Sequence, residues 1–113
     1  MRNTRPISWL KGALRAFRDF PEKAQHQAED ALTLVAEGAT PSIAKPMSGL
    51  GSGVWELAIR TSGDAYRIVY ALQLDDAIWV VHAFQKKSTS GIATPQHEIK
   101  VIRERLKRLK EQL

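Results

Sequence analysis

Val54-Trp55-Glu56-Leu57-Ala58-Ile59-Arg60-Thr61, then Ser62-Gly63-Asp64, then Ala65-Tyr66-Arg67-Ile68-Val69-Tyr70-Ala71-Leu72-Gln73-Leu74, is the stretch that decides the fold. The first run alternates, with Trp55, Leu57 and Ile59 on one face and Glu56, Ala58 and Arg60 on the other. Such a two-residue period is that of a strand. The second run, Ala65 to Leu74, repeats it with Tyr66, Ile68, Tyr70 and Leu72 against Arg67, Val69 and Ala71. Ser62-Gly63-Asp64 between them has turn chemistry. Asp75-Asp76 supplies a second tight turn and leads into a third strand, Ala77 to Gln85. Consecutive strands joined by short turns form an antiparallel meander.

Helices flank this core. Ala13 to Phe20 reads as a short helix stopped by Pro21, which then suits the first turn of a longer helix reaching about Glu37, with Gly38 ending it. Ala24, Ala28, Ala31, Leu32 and Val35 give that helix its buried stripe. After the sheet, Thr94 is the expected N-cap and Pro95 the first helical residue, with Glu98 adding negative charge near the N-terminus. Ile99, Ile102, Leu106, Leu109 and Leu113 recur at helical spacing, with lysines and arginines over much of the remaining surface. Pro6-Ile7-Ser8-Trp9-Leu10 reads equally as a first strand or as a lead into a helix, and Ala39 to Gly53 as a loop. The expected architecture is α+β: N-terminal helices, a small antiparallel sheet and a C-terminal helix, in one domain spanning residues 1–113.

Bulk composition narrows the function. The chain has 113 residues, 43% of them hydrophobic and 26% charged, as in an ordinary globular domain. No apolar run approaches the ~20 residues that span a bilayer, so no membrane role is expected. The basic start, Met1 to Arg5, is followed by Lys11, Arg15 and Arg18, which leave no signal-peptide core. There is no cysteine, which excludes disulfides and thiolate metal sites and fits a reducing cytoplasm. The histidines, at 26, 82 and 97, are too scattered for a metal-ligand spacing, so no cofactor is expected. A net charge of +5 favours an anionic partner: nucleic acid, ribosome or an acidic protein.

The candidate site residues are cations. Arg60 and Arg67 flank the hairpin turn, off the Trp55/Tyr66 face and so towards the open side of the sheet. Lys86 and Lys87 emerge where the third strand ends, and antiparallel pairing brings the start of the second strand to them. Four cations from three strands can thus converge on one patch suited to phosphate. The plainer alternative is four separate solvated or salt-bridged charges. His82 reads as a packed or hydrogen-bonded core residue. His97, in the first turn of the last helix, is placed either to exchange a proton or simply to face water. Trp55, Trp79 and the tyrosines read as core. No nucleotide-binding loop, nucleophile elbow or paired-carboxylate site is present. Metal-free RNA cleavage fits what remains: the 2′-hydroxyl of the RNA attacks the adjacent phosphate, a base takes its proton, and cations stabilise the added charge.

Gly53-Val54-Trp55-Glu56-Leu57, Asp64-Ala65-Tyr66-Arg67-Ile68-Val69-Tyr70, His82-Ala83-Phe84-Gln85-Lys86-Lys87-Ser88 and Thr94-Pro95 with Glu98-Ile99 resemble, in this order, the HigB-like, phage-derived Gp49-like branch of the RelE/ParE toxin superfamily. The resemblance covers about residues 41 to 113 well. It implies the toxin of a type II toxin–antitoxin system, paired with a small antitoxin that usually carries a helix-turn-helix DNA-binding domain. RelE-type members cut mRNA in the ribosomal A site, which makes the ribosome and mRNA the expected partners and the chain a metal-independent endoribonuclease. On this resemblance Arg67, Lys86, Lys87 and His97 are the catalytic candidates, and Arg60, Arg67, Lys86 and Lys87 the RNA-binding ones. RelE carries two lysines on the strand before the hairpin, where this chain has Glu56 and Ala58; Arg60, further along that face, is the compensating cation. ParE-type members of the same fold instead inhibit DNA gyrase by protein contact, and a degenerate toxin would survive only as an antitoxin-binding partner.

Overall fold

A computed structural model describes residues 4–51, 53–87 and 93–113, so Ser88 of the lysine motif and Met1 to Asn3 lie outside the described residues. The chain runs β1 (Ile7–Trp9), α1 (Lys11–Arg18), α2 (Glu22–Ala36), β2 (Ala44–Pro46), β3 (Val54–Thr61), β4 (Asp64–Ala71), β5 (Ile78–Lys86) and α3 (Gln96–Gln112). The α+β architecture and the β3–β4–β5 meander are those expected. The sheet, however, has five strands in the order β1-β5-β4-β3-β2, and β1 pairs parallel to β5. The two edge strands are three residues each. Segments so short show almost no periodicity, which is why β2 reads as loop in the sequence.

One turn and two helix starts differ from those expected. Residues 72–77 form a longer loop than a tight turn, and Arg5 closes it by donating to the carbonyls of Leu72, Asp75, Asp76 and Ala77. Pro21 and Pro95 are both N-caps rather than first helical residues. Their ψ angles, 152° and 146°, are extended, so each stands just outside its helix and contributes only its carbonyl. Thr94 therefore caps nothing; its hydroxyl has another partner, described below.

Helices cover both faces of the sheet. The Tyr66/Ile68/Tyr70 face packs with Leu57 and Ile59 on α1 and α2. A chain of rings, Trp9 to Phe17 at 4.7 Å, Phe17 to Phe20 at 5.7 Å and Phe20 to Tyr66 at 4.6 Å, ties those helices to the hairpin. On the other face Val54, Val69, Ala71, Val81 and Phe84 pack on Ile102, Leu106 and Leu109 of α3. Burying those three aliphatic side chains is worth about 1.5–3 kcal/mol each, enough to hold α3 down. Leu113, read as the end of that stripe, is past the helix and 53% exposed. The side of the sheet expected to be open is thus roofed by α3 over most of its length. Among the described residues, no helix residue lines the cleft at the hairpin end.

One irregularity sets the parity of β5. Val69 pairs with His82 but Tyr70 pairs with Val80, so Val81 is an extra residue, a β-bulge. Plain alternation would put His82 and Phe84 with Val80 on the α1/α2 side. With the bulge, Val81, Phe84 and His82 all face α3. Two residues further on, Lys86 is carried to that same side.

Candidate nucleic-acid interface

The hairpin end of the sheet is a row across three strands: Arg60 pairs with Ala65, and Ala65 with Lys86. Two strand spacings put the two cationic positions about 10 Å apart, with a methyl group between them. Around this row lies a cleft of ≈ 450 Å³ lined by Arg60, Thr61, Gly63, Asp64, Ala65, Gln85, Lys86 and Lys87. Asp64 is its one acid, and Gln85 donates to that carboxylate at 3.3 Å. Lys86 lies against the protein, 8% exposed, while Lys87 is exposed at the strand end. Three of the four predicted RNA-binding cations are therefore brought together.

Arg67 is placed differently. It occupies the next row, between Ala58 and Phe84, and only 7% of it is exposed. Its Nη1 donates to Glu56 Oε1 at 2.9 Å, and Glu56 is equally buried. Ala58 beside it is too small to block this diagonal reach. The second Glu56 oxygen, Oε2, accepts from the Thr94 hydroxyl at 2.7 Å. Glu56 thus joins the hairpin to the approach of α3. Among the described residues Arg67 Nε is buried without a hydrogen-bond partner, so the fork is only partly used. Glu56 marks a departure from RelE in the sequence, but its capture of Arg67 is not visible there.

A second polar chain fastens α3 to β5. Arg105 Nη1 donates to the Val81 carbonyl at 3.0 Å and to His82 Nδ1 at 3.1 Å. An acceptor at Nδ1 requires the proton on Nε2, which then donates to Glu98 Oε1 at 2.7 Å. His82 is held as the neutral imidazole; burial lowers its pKa and the Arg105 charge adds to this, against the opposing pull of Glu98. The bulge explains the partner choice, since the Val81 carbonyl it frees needs a donor. Gly12 at the start of α1 leaves room for that donor: a Cβ there would lie 2.6 Å from Arg105 Nη2. His82 is the packed, hydrogen-bonded residue expected, stacked on Phe84 at 5.2 Å. The sequence does not single out Glu98 and Arg105 as its partners, for each stands among the many other charges of that helix.

His97 is exposed, with 79% of its side chain accessible, and its Nε2 lies 3.4 Å from Glu98 Oε2. It does not line the first cleft. It lines a second one, with Thr94, Pro95 and Glu98, whose other wall is Gln85 and Lys87. Lys87 and Gln85 are common to both clefts, so the histidine and the cation cluster border one continuous surface. The tryptophans and tyrosines are packed in or against the two cores, as read, with Trp79 Nε1 donating to Asp75. Chemically the described residues of this surface offer strand-end cations for phosphate and an exposed imidazole.

Comparison with known proteins follows the same line. The model of a family described as phage-derived Gp49-like proteins matches residues 15–107. No curated protein matches the chain. Among solved structures, a doubly substituted RelE toxin of E. coli in the free state superposes with a TM-score of 0.66, over 94% of this chain and 98% of that one, at 18% identity. The RelBE2 toxin–antitoxin complex of Mycobacterium tuberculosis gives 0.49 at 17% identity, over 75% of this chain and 94% of that one. The first of these likenesses covers nearly the whole of both chains, so the fold is that of RelE.

Proposed function

The chain belongs to the phage-derived Gp49-like family, and from that premise and the cation row at the hairpin end we propose that it is the toxin of a type II toxin–antitoxin system, a ribosome-dependent, metal-independent endoribonuclease that blocks translation. The observation that carries this reading is the convergence of Arg60, Lys86 and Lys87 on one cleft that, among the described residues, is lined by no helix. Cations fixed on strand ends stabilise charge developing on a phosphodiester without having to reorganise. In this reading the mRNA backbone lies along Arg60, Ala65 and Lys86, and Lys87 bridges to the second cleft, where His97 exchanges the proton. Arg67, tied to Glu56, supports the row from behind. A cognate antitoxin, expected to carry a helix-turn-helix domain, inhibits by covering the cation cluster or by holding the protein off the ribosome. The positive surface favours an acidic antitoxin segment.

Translation in vitro with mapping of mRNA 5′ ends tests this. Wild type is expected to generate new 5′ ends only when ribosomes are present. Arg60→Ala and Lys87→Ala each remove a charge-assisted contact worth about 1.5–3 kcal/mol, so each slows cleavage roughly 10- to 100-fold. Arrest of translation without new 5′ ends would point to a contact inhibitor instead. Undiminished cleavage by the Arg60/Lys87 double variant would show that the site lies elsewhere.

A further inference from the structure

Helix α3 carries cations that the hairpin cleft does not use. Lys100, Arg103, Lys107 and Lys110 are spaced by three, four and three residues, and all are exposed. At about 100° per residue they fall within one quarter of the helix surface. Glu104 and Arg108 lie on the neighbouring flank and pair with each other at 3.2 Å. The stripe itself contains no acid, and among the described residues none of its four cations is in an ion pair.

Three of these cations wall a groove of ≈ 290 Å³ between α3 and residues 49–51. The facing wall is bare backbone at Gly49 and Gly51, whose φ angles are +79° and +95°. A Cβ on Gly51 would lie 3.5 Å from Lys110 Nζ, so the ammonium already runs alongside that backbone. The floor is Leu50 and Leu106, only 7% and 3% exposed. The two leucines of the floor, so nearly buried, offer little side-chain surface to anchor a peptide, whereas three cations stand along one wall. A row of cations whose neighbours stand about 4.5–6 Å apart along the axis suits a repeating phosphate backbone, read by charge and not by base.

We propose that this groove is a second RNA site, taking the phosphodiester backbone of duplex RNA and docking the protein on ribosomal RNA away from the cutting cleft. It rests on the ribosome reading above for the identity of its RNA, not for its chemistry. The test uses the full chain and a short blunt-ended RNA duplex, with affinity measured over a range of salt. The variant is Arg103→Gln/Lys107→Gln/Lys110→Gln, all at exposed positions. Arg108→Gln, which removes one charge outside the groove, is the control.

The triple variant is expected to bind the duplex roughly 10- to 100-fold more weakly at low salt, with the log–log salt slope shallower by about 3, while Arg108→Gln changes affinity less than about 2-fold. On programmed ribosomes the same variant raises the half-saturating ribosome concentration and leaves the single-turnover cleavage rate unchanged. Equal affinity and slope for wild type and triple variant would overturn the proposal. So would unchanged RNA binding together with weakened binding to a polyglutamate peptide, which would make the groove a protein contact. Duplex binding that depends on the stripe, in a protein that cuts no mRNA, would uphold this site and sink the nuclease reading alone.

Discussion

Glu56 and Arg67 are the buried pair on which the hairpin's polar chemistry turns. Each is 7% exposed, and Arg67 Nη1 donates to Glu56 Oε1 at 2.9 Å. Removing one member leaves an uncompensated charge in the interior, a loss of about 3–5 kcal/mol. That is a large share of the roughly 5–15 kcal/mol available to a domain of this size. Urea denaturation is therefore expected to show Glu56→Ala and Arg67→Ala each strongly destabilised, and the double variant less so than the sum of the two. Strict additivity would mean that the two charges do not depend on each other. Loss of the proposed activity in Arg67→Ala would report folding as much as chemistry, which is why Arg60 and Lys87, both exposed, are the better probes of the cleft. The sequence shows that residue 56 is acidic and on the arginine's face. It does not show that the arginine turns to it, because both partners lie in rows that only strand register brings together.

Helix α3 is held at three polar points as well as by its apolar stripe. Thr94 reaches Glu56, Glu98 reaches His82, and Arg105 reaches His82 and the bulge carbonyl. His82 makes this attachment sensitive to pH. Its pKa is lowered in the folded state, so below its ordinary value near 6.5 the unfolded chain binds a proton that the native protein resists. Stability is then fully present above about pH 6.5 and falls as pH drops towards the folded value. The groups facing the imidazole are Glu98, Arg105 and, through Glu98, His97. Urea midpoints taken between neutral and mildly acidic pH are expected to decline for wild type and to stay flatter for His82→Gln, which keeps a donor and an acceptor in place. Parallel declines would show that another group carries the dependence. The apolar stripe of α3 is legible in the sequence from its spacing, and so is the basic character of the rest of that helix. The bulge that turns His82 to the helix is not, because a single extra residue leaves the apolar character of β5 unchanged.

The two basic surfaces lie at opposite ends of β3. The cleft is at Arg60 and the α3 groove is beside Gly51, and the six residue steps of strand from Val54 to Arg60 separate them by about 20 Å. Sites that far apart with no shared partners act independently. Combining Arg60→Ala/Lys87→Ala with the triple variant of α3 is expected to lower ribosome affinity by the sum of the separate free-energy losses, within about 0.5 kcal/mol. A clear departure from that sum, measured by co-sedimentation, would mean that one stretch of RNA spans both. The net charge of +5 makes either contact favourable in bulk, yet it does not say where the charge is concentrated.

Alternation, turn chemistry and helical spacing determined the meander, the flanking helices and the identity of the cations, because each is a property of neighbours along the chain. Tertiary structure alone decided which cations meet. Pairing across β3, β4 and β5 put Arg60 and Lys86 in one row, the bulge at Val81 carried Lys86 to their shared side, and Glu56 drew Arg67 out of the cluster and into the interior. Those outcomes depend on register and on the desolvation of charges between strands, and neither is written in any local stretch of sequence.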